Sequence, residues 1–261
     1  MKTFLRYSIV AIVLFAAFAW LNNTSRFSTP RRGAPVLLAH RGLAQTYTRE
    51  GLERDTCTAT RINPPEHEFI ENTIASMHAA FAAGADVVEF DVHPTTDGNF
   101  AVFHDWTLDC RTEGHGRTRD HALADLKKLD VGYGYTADGG QTFPLRGKRV
   151  GLMPSLDEVL NAFPDERFLI NVKSNDASEG DKLAVHIAKL SPQSQARLMV
   201  YGGTSPLEAF HARLPSIPVG SNKSLKNCLV RYRRALAVGL AGQVPAAQGR
   251  RRRAGVRARS I

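Results

Sequence analysis

Four polar groupings stand where apolar runs of strand length end. His40-Arg41-Gly42 follows Val36–Ala39, and Glu89-Phe-Asp91 lies within Val87–Val92. His104-Asp105 closes Phe100–Phe103, and Asn171-Val-Lys173 closes Phe168–Val172. An imidazole exchanges a proton near neutral pH, and a guanidinium grips a phosphate through two parallel hydrogen bonds. The glycine after them lets backbone come close. Residues two apart on a strand share a face, so Glu89 and Asp91 project together. Two carboxylates at the end of an apolar strand repel unless a cation lies between them, and such oxygen ligands suit Mg2+ or Ca2+. Asn171 and Lys173 also share a face, offering an oxygen ligand and a cation for a phosphate or carboxylate. Each grouping alone has a plainer reading. His40 or His104 fits a core histidine, and either carboxylate fits a salt bridge with a nearby Lys or Arg. His93, two residues past Asp91, could share that face but reads as rim.

The elements around these groupings alternate. Asn72–Ala83 has helical spacing of apolar residues, with Gly84 where a C-cap belongs. Ser155-Leu-Asp-Glu158 is a capping box, opening a helix that ends near Phe163-Pro164. Further helices are predicted over 182–190 and 206–214, and further strands over 198–201 and 217–219. Strand–helix alternation implies parallel βαβ units, and barrels of such units carry catalytic residues at the C-terminal strand ends. A polar insertion, 51–68, follows the first strand. Six strands are predicted where a closed barrel takes eight.

At 261 residues, 43% of them apolar, the chain can bury one sizeable core. The formal charge of +9 does not indicate nucleic-acid binding. Nine of the 34 Lys and Arg lie in 227–261, which holds no Asp or Glu, so the first 226 residues balance. That basic tail lacks periodicity. Its Arg/Ala/Gly run is what a GC-rich reading frame yields after a one-base shift, placing the loss of frame between Arg231 and Gln248. The alternative is a genuine basic tail on anionic lipid. Residues 1–25 form a signal or anchor segment: Lys2 and Arg6 precede an uncharged, largely apolar stretch. Residues 26–35 read as a linker, and 36–226 as the α/β body. The positive-inside rule sends that body across the membrane. Export puts Cys57, Cys110 and Cys228 in an oxidising compartment. Cys228 falls in the odd tail, which leaves Cys57 and Cys110 as the pair.

The order and spacing of the motifs resemble those of the glycerophosphodiester phosphodiesterases. His40-Arg-Gly is followed by Glu71-Asn-Thr, Gly84-Ala-Asp86, Glu89-x-Asp91, Thr96-Asp-Gly98 and His104-Asp-x-Thr-Leu-Asp109. Leu129-Asp-Val-Gly132 and Pro154-x-Leu-x-Glu-Val-Leu160 continue the match. The resemblance implies a TIM-type (β/α)8 barrel, here incomplete at its C-terminus. It further implies metal-dependent hydrolysis of a glycerophosphodiester to glycerol phosphate and an alcohol. His40 and His104 match the acid/base pair, Arg41 and Lys173 phosphate contacts, and Glu71 a polar residue beside the site. Glu89 and Asp91 match the ligands of a divalent cation, Mg2+ or Ca2+. A third carboxylate usual in the family is replaced by Asn171, which brings an oxygen but no charge. The N-terminal segment suggests a branch anchored in the bacterial inner membrane, its catalytic domain in the periplasm or outside the cell. Cleavage after Ala17-Phe-Ala19 would instead release a secreted protein. No nucleic-acid or protein partner is implied. Two rival functions are action on intact membrane-lipid headgroups and an inactive barrel that binds phosphorylated ligands.

Overall fold

The computed structural model describes residues 2–23, 35–53, 56–221, 224, 226–227 and 229–230. Cys228 and the expected loss of frame beyond Arg231 lie outside them, as does all but residue 35 of the expected linker. The described chain divides into two compact units, one holding the N-terminal helix and the other Ala34–Asn222.

Helix α1, Lys2–Asn23, exposes large apolar side chains on all sides, among them Phe4, Ile12, Leu14 and Trp20. Among the described residues no helix is long and apolar enough to cross a membrane.

The second unit runs β1 (Leu38–His40), α2 (Ile74–Ala82), β2 (Val87–Pro94), β3 (Phe100–Val102), α3 (Leu123–Leu126) and α4 (Leu156–Ala162). It continues with β4 (Phe168–Val172), α5 (Ala177–Ile187), α6 (Pro192–Gln195), β5 (Leu198–Gly202), α7 (Thr204–Arg213) and β6 (Val219–Ser221). The sheet order is β1-β2-β4-β5-β6, every pair parallel. Parallel strands taken in chain order, each connection carrying helix, are the succession of a TIM-type barrel. Five of its strands are described.

The third predicted strand, Phe100–Phe103, is not a barrel strand. β3 pairs antiparallel with β2 and stands off the main path. The turn between them explains why. Thr95 N–H donates to Asn99 C=O at 2.9 Å, and Gly98 takes a positive φ of 80°. A connection that short closes a hairpin, whereas a parallel neighbour needs a crossover of about a dozen residues or more.

β2 is buried along its whole length, and its two faces meet different surroundings. Val88, Phe90 and Val92 join Phe168, Ile170 and Val172 of β4 in a core shared with α2, α4, α5 and α7. Each large side chain so buried contributes about 1.5–3 kcal/mol. The alternate residues, Glu89, Asp91 and His93, project to the other face, as do Asn171 and Tyr201. His93 is therefore not rim; it is 1% exposed.

A second apolar cluster lies between the insertion and the long segment after β3. Ala59 and Ile62 pack with Phe103, Leu108, Leu126, Tyr135 and Met153. The expected disulfide is present within it: Cys57 and Cys110 are bonded, with Cα atoms 5.7 Å apart. The capping box also forms as read, Ser155 and Glu158 each bonding the other's backbone N–H at 3.1 and 2.8 Å.

Candidate active site

The inward face of β2 carries the carboxylate pair, each member 1% exposed. Asp91 is fully engaged. Its Oδ1 accepts from Asn171 Nδ2 at 2.8 Å and lies 3.5 Å from Lys173 Nζ. Its Oδ2 accepts from Asn72 Nδ2 at 3.1 Å and lies 3.2 Å from Arg41 Nε, angled so that no hydrogen bond forms there. Burial would raise its pKa, but Lys173 and Arg41 overcome this and hold it below the usual carboxylate range.

Glu89 is different. Oε1 accepts from the Tyr201 hydroxyl at 2.6 Å, while buried Oε2 has no hydrogen-bond partner. The nearest cationic candidate is His40 Nε2 at 3.7 Å, brought there by the parallel register of His40 with Glu89. Burial, then the charge of Asp91, pushes the Glu89 pKa up to about 7. Desolvation and the neighbouring Arg41 lower that of His40.

Arg41 and Asn72 both take left-handed backbone, with φ of 64° and 60°. Non-glycine residues rarely do so, and the strain is held by a mutual bond, Asn72 N–H to Arg41 C=O at 2.9 Å. Gly42 follows with φ 76°, and a Cβ there would sit 2.6 Å from Ser76 Oγ and 2.8 Å from the Ser76 carbonyl carbon. Only glycine lets the His-Arg-Gly turn lie against α2. The turn aims Arg41 Nη1 at Glu71 Oε1, 2.8 Å away.

His104 enters from the loop after β3. Its Nδ1 lies 2.5 Å from Asp105 Oδ1, and Asp105 Oδ2 accepts from Arg111 Nε at 2.8 Å. Burial opposes ionisation of Asp105, but Arg111 and His104 hold it well below its ordinary range. His93 Nε2 meets the His104 carbonyl at 3.3 Å, and its ring stacks edge-on to Trp106. An open cleft of about 790 Å3 runs from His104, Asn171 and Lys173 past Trp106 to the disulfide.

His40, Arg41, Glu71, Glu89, Asp91, Asn171 and Lys173 thus join in one connected set, with His104 reached through Asp105 and Arg111. Reading by motif missed Tyr201, Arg111 and the buried role of His93. Tyr201 had a usable signal, since it occupies the inward-facing position of the strand after Asn171.

Among the described residues no three His, Cys, Asp or Glu are grouped to hold a metal ion. The set that does converge is oxygen-only: two carboxylates and the Asn171 amide. Glu89 Oε2, buried and unpartnered, is the atom that a cation would satisfy. Such donors fit a hard divalent ion.

Comparison with known proteins follows the same residues. The chain is 41% identical over 103 residues to a glycerophosphodiester phosphodiesterase of Caldanaerobacter subterraneus subsp. tengcongensis, covering 40% of this chain and 39% of that one. It is 39% identical over 125 residues to one from Bacillus subtilis, covering 46% and 41%. The matches thus span about two fifths of those relatives' length. In fold it is similar to the glycerophosphoryl diester phosphodiesterase domain of an uncharacterized Mycobacterium tuberculosis protein. The TM-score is 0.57 at 22% identity, covering 77% of this chain and 65% of that one. It is likewise similar to an Oleispira antarctica phosphodiesterase solved with the product sn-glycerol-3-phosphate. There the TM-score is 0.52 at 20% identity, covering 80% and 81%. The model of one family matches residues 40–196, a span that opens on His40 and takes in the rest of the set, while Tyr201 lies beyond it. The chain belongs to the glycerophosphoryl diester phosphodiesterase family.

Proposed function

We propose that this chain hydrolyses glycerophosphodiesters to glycerol phosphate and an alcohol. The observation that carries the reading is the convergence of His40, Arg41 and Lys173 on a buried carboxylate pair, with His104 beside the same cleft. The relatives' names supply the substrate class. His40, its pKa lowered, is neutral near pH 7 and serves as the base that takes a proton from the attacking hydroxyl. His104, with Nδ1–H anchored on the ionised Asp105, donates from Nε2 to the leaving alcohol when the ring carries both protons. Arg41 and Lys173, each with about 15% of its side chain exposed, neutralise charge gathering on the phosphoryl oxygens. Glu89, Asp91 and the Asn171 oxygen would hold Mg2+ or Ca2+. When bound, that ion supplies Lewis-acid polarisation of the phosphoryl group. The test is release of glycerol phosphate from glycerophosphocholine by the full chain with Mg2+ or Ca2+ supplied. Retention of activity in both His40→Ala and His104→Ala would sink the reading. Binding without turnover would favour a non-catalytic phosphate-binding barrel.

A second reading concerns where the reaction occurs. Helix α1, with apolar side chains exposed on all sides, supports attachment of the chain to the inner membrane, the barrel unit lying in the periplasm or outside the cell. The Cys57–Cys110 bond suits that oxidising side. Attachment would favour intact lipid headgroups as substrates. Comparing glycerophosphocholine with phosphatidylcholine vesicles separates the two substrates. Recovery of the chain in the membrane fraction tests the attachment.

A further inference from the structure

Arg111 is 3% exposed, and each of its three guanidinium nitrogens has a partner. Nε donates to Asp105 Oδ2 at 2.8 Å, and Nη2 donates to Thr58 Oγ1 at 2.8 Å. Nη1 donates to the Tyr135 hydroxyl at 2.5 Å and lies 3.2 Å from Glu71 Oε2. The two carboxylates that it bridges each use their other oxygen on a site residue. Asp105 Oδ1 holds His104 Nδ1, and Glu71 Oε1 holds Arg41. One buried guanidinium therefore ties the two halves of the site together.

The arginine is itself fixed from both ends. Its carbonyl accepts from Gly134 N–H at 3.2 Å. A Cβ at Gly134 would lie 2.0 Å from the Cys110 carbonyl oxygen, so only glycine permits that approach. At the other end Thr58, which anchors Nη2, directly follows Cys57, and Arg111 directly follows Cys110. The disulfide joins the two residues immediately before this hydrogen-bonded pair.

We propose that Arg111 is a positioning residue for His104: by clamping the Asp105 carboxylate it holds the proton on Nδ1 and leaves Nε2 facing the cleft. Which ring nitrogen carries the proton depends on the hydrogen bond that the other makes, and here that bond is only as fixed as Asp105. Nothing else bonds Asp105 Oδ2 among the described residues. The catalytic meaning of the clamp rests on the acid/base reading of His104; the tautomer that it sets does not.

The test uses the full 15N-labelled chain and reads the His104 ring nitrogens by long-range 1H–15N correlation, alongside kinetics on glycerophosphocholine. Arg111→Lys keeps the charge but loses the fork. It should shift His104 from one dominant neutral tautomer to a mixture and lower kcat by about 10–100-fold, with KM within about twofold. Thr58→Val should produce the same spectral change with a smaller loss, about threefold. An unaltered His104 spectrum in folded Arg111→Lys overturns the proposal. If that variant does not fold, Thr58→Val alone decides by the same criterion. Should His104→Ala keep full turnover, the acid/base reading fails while the spectra still judge the clamp. Should His104→Ala be inactive and Arg111→Lys unchanged in ring and rate, the clamp alone fails.

Discussion

Asn171 donates its side-chain amide to Asp91 Oδ1 at 2.8 Å, in the register that sets the two residues opposite each other on β4 and β2. A neutral donor thus stands where the resemblance leads one to expect a third carboxylate. The first prediction follows from that exchange. Asn171→Glu should tighten Mg2+ or Ca2+ binding by about tenfold, measured by isothermal titration, because a charged oxygen replaces an amide. Glu89→Gln should weaken it, and a chelator should abolish turnover until the ion is restored. Equal affinity in Asn171→Glu and wild type would place residue 171 away from the ion.

Replacing either imidazole should act on chemistry more than on binding. His40→Ala and His104→Ala are each expected to lower kcat by roughly 10²–10⁴-fold, the range for lost acid–base catalysis. Half of the His40 side chain or more is exposed, so its removal should leave the melting temperature nearly unchanged. Steady-state kinetics and a thermal melt together check this.

His93 makes the fold sensitive to acid. Burial pushes its pKa from 6.5 down to about 4, the bond to the His104 carbonyl only partly opposing this. The folded state therefore prefers the neutral ring, and the unfolded chain binds the extra proton first. Stability from this residue is complete above about pH 6.5 and is lost progressively toward pH 4, by up to about 3 kcal/mol. Urea unfolding across that window should show a flatter pH dependence in His93→Gln. An identical slope in the two proteins would refute the assignment.

The Cys57–Cys110 bond closes a loop across a sequence separation of 53. In the chain-entropy model, reduction should lower stability by about 4 kcal/mol. Alkylation of unreduced protein should spare both cysteines, and mass spectrometry of the peptides reads the result directly.

Much of this arrangement is written locally. The capping box at Ser155–Glu158 and the strand containing Glu89 and Asp91 depend on residues within a few positions of one another, so the sequence shows them. The Asp97-Gly98 turn is equally local, and a turn that tight after β2 forces β3 to run back antiparallel. Helix α5 begins at Ala177 rather than at Lys182, because Asp176 caps it by accepting from Ser178 N–H. Arg111 and Tyr201 were harder to see, since their partners are remote in the chain. Tyr201 meets Glu89 across 112 positions, and Arg111 meets Thr58 across 53. Such pairings are fixed by strand register and by the disulfide, which no local pattern encodes. His93 reads as rim because it lies past the predicted strand end at Val92, whereas β2 runs on to Pro94 and its alternation carries His93 inward.

The hairpin of β2 and β3 also imposes an order on folding. A turn this tight closes on the microsecond scale, typical of β-hairpins, and needs no help from the rest of the chain. The pairing of β2 with β4 joins Asp91 to Asn171 across 80 positions and carries a far larger loop-closure entropy. The carboxylates therefore acquire the segment leading to His104 before they acquire Asn171, Lys173 or Tyr201. In that order Glu89 and Asp91 stand side by side on β2 before the donors of β4 and β5 reach them.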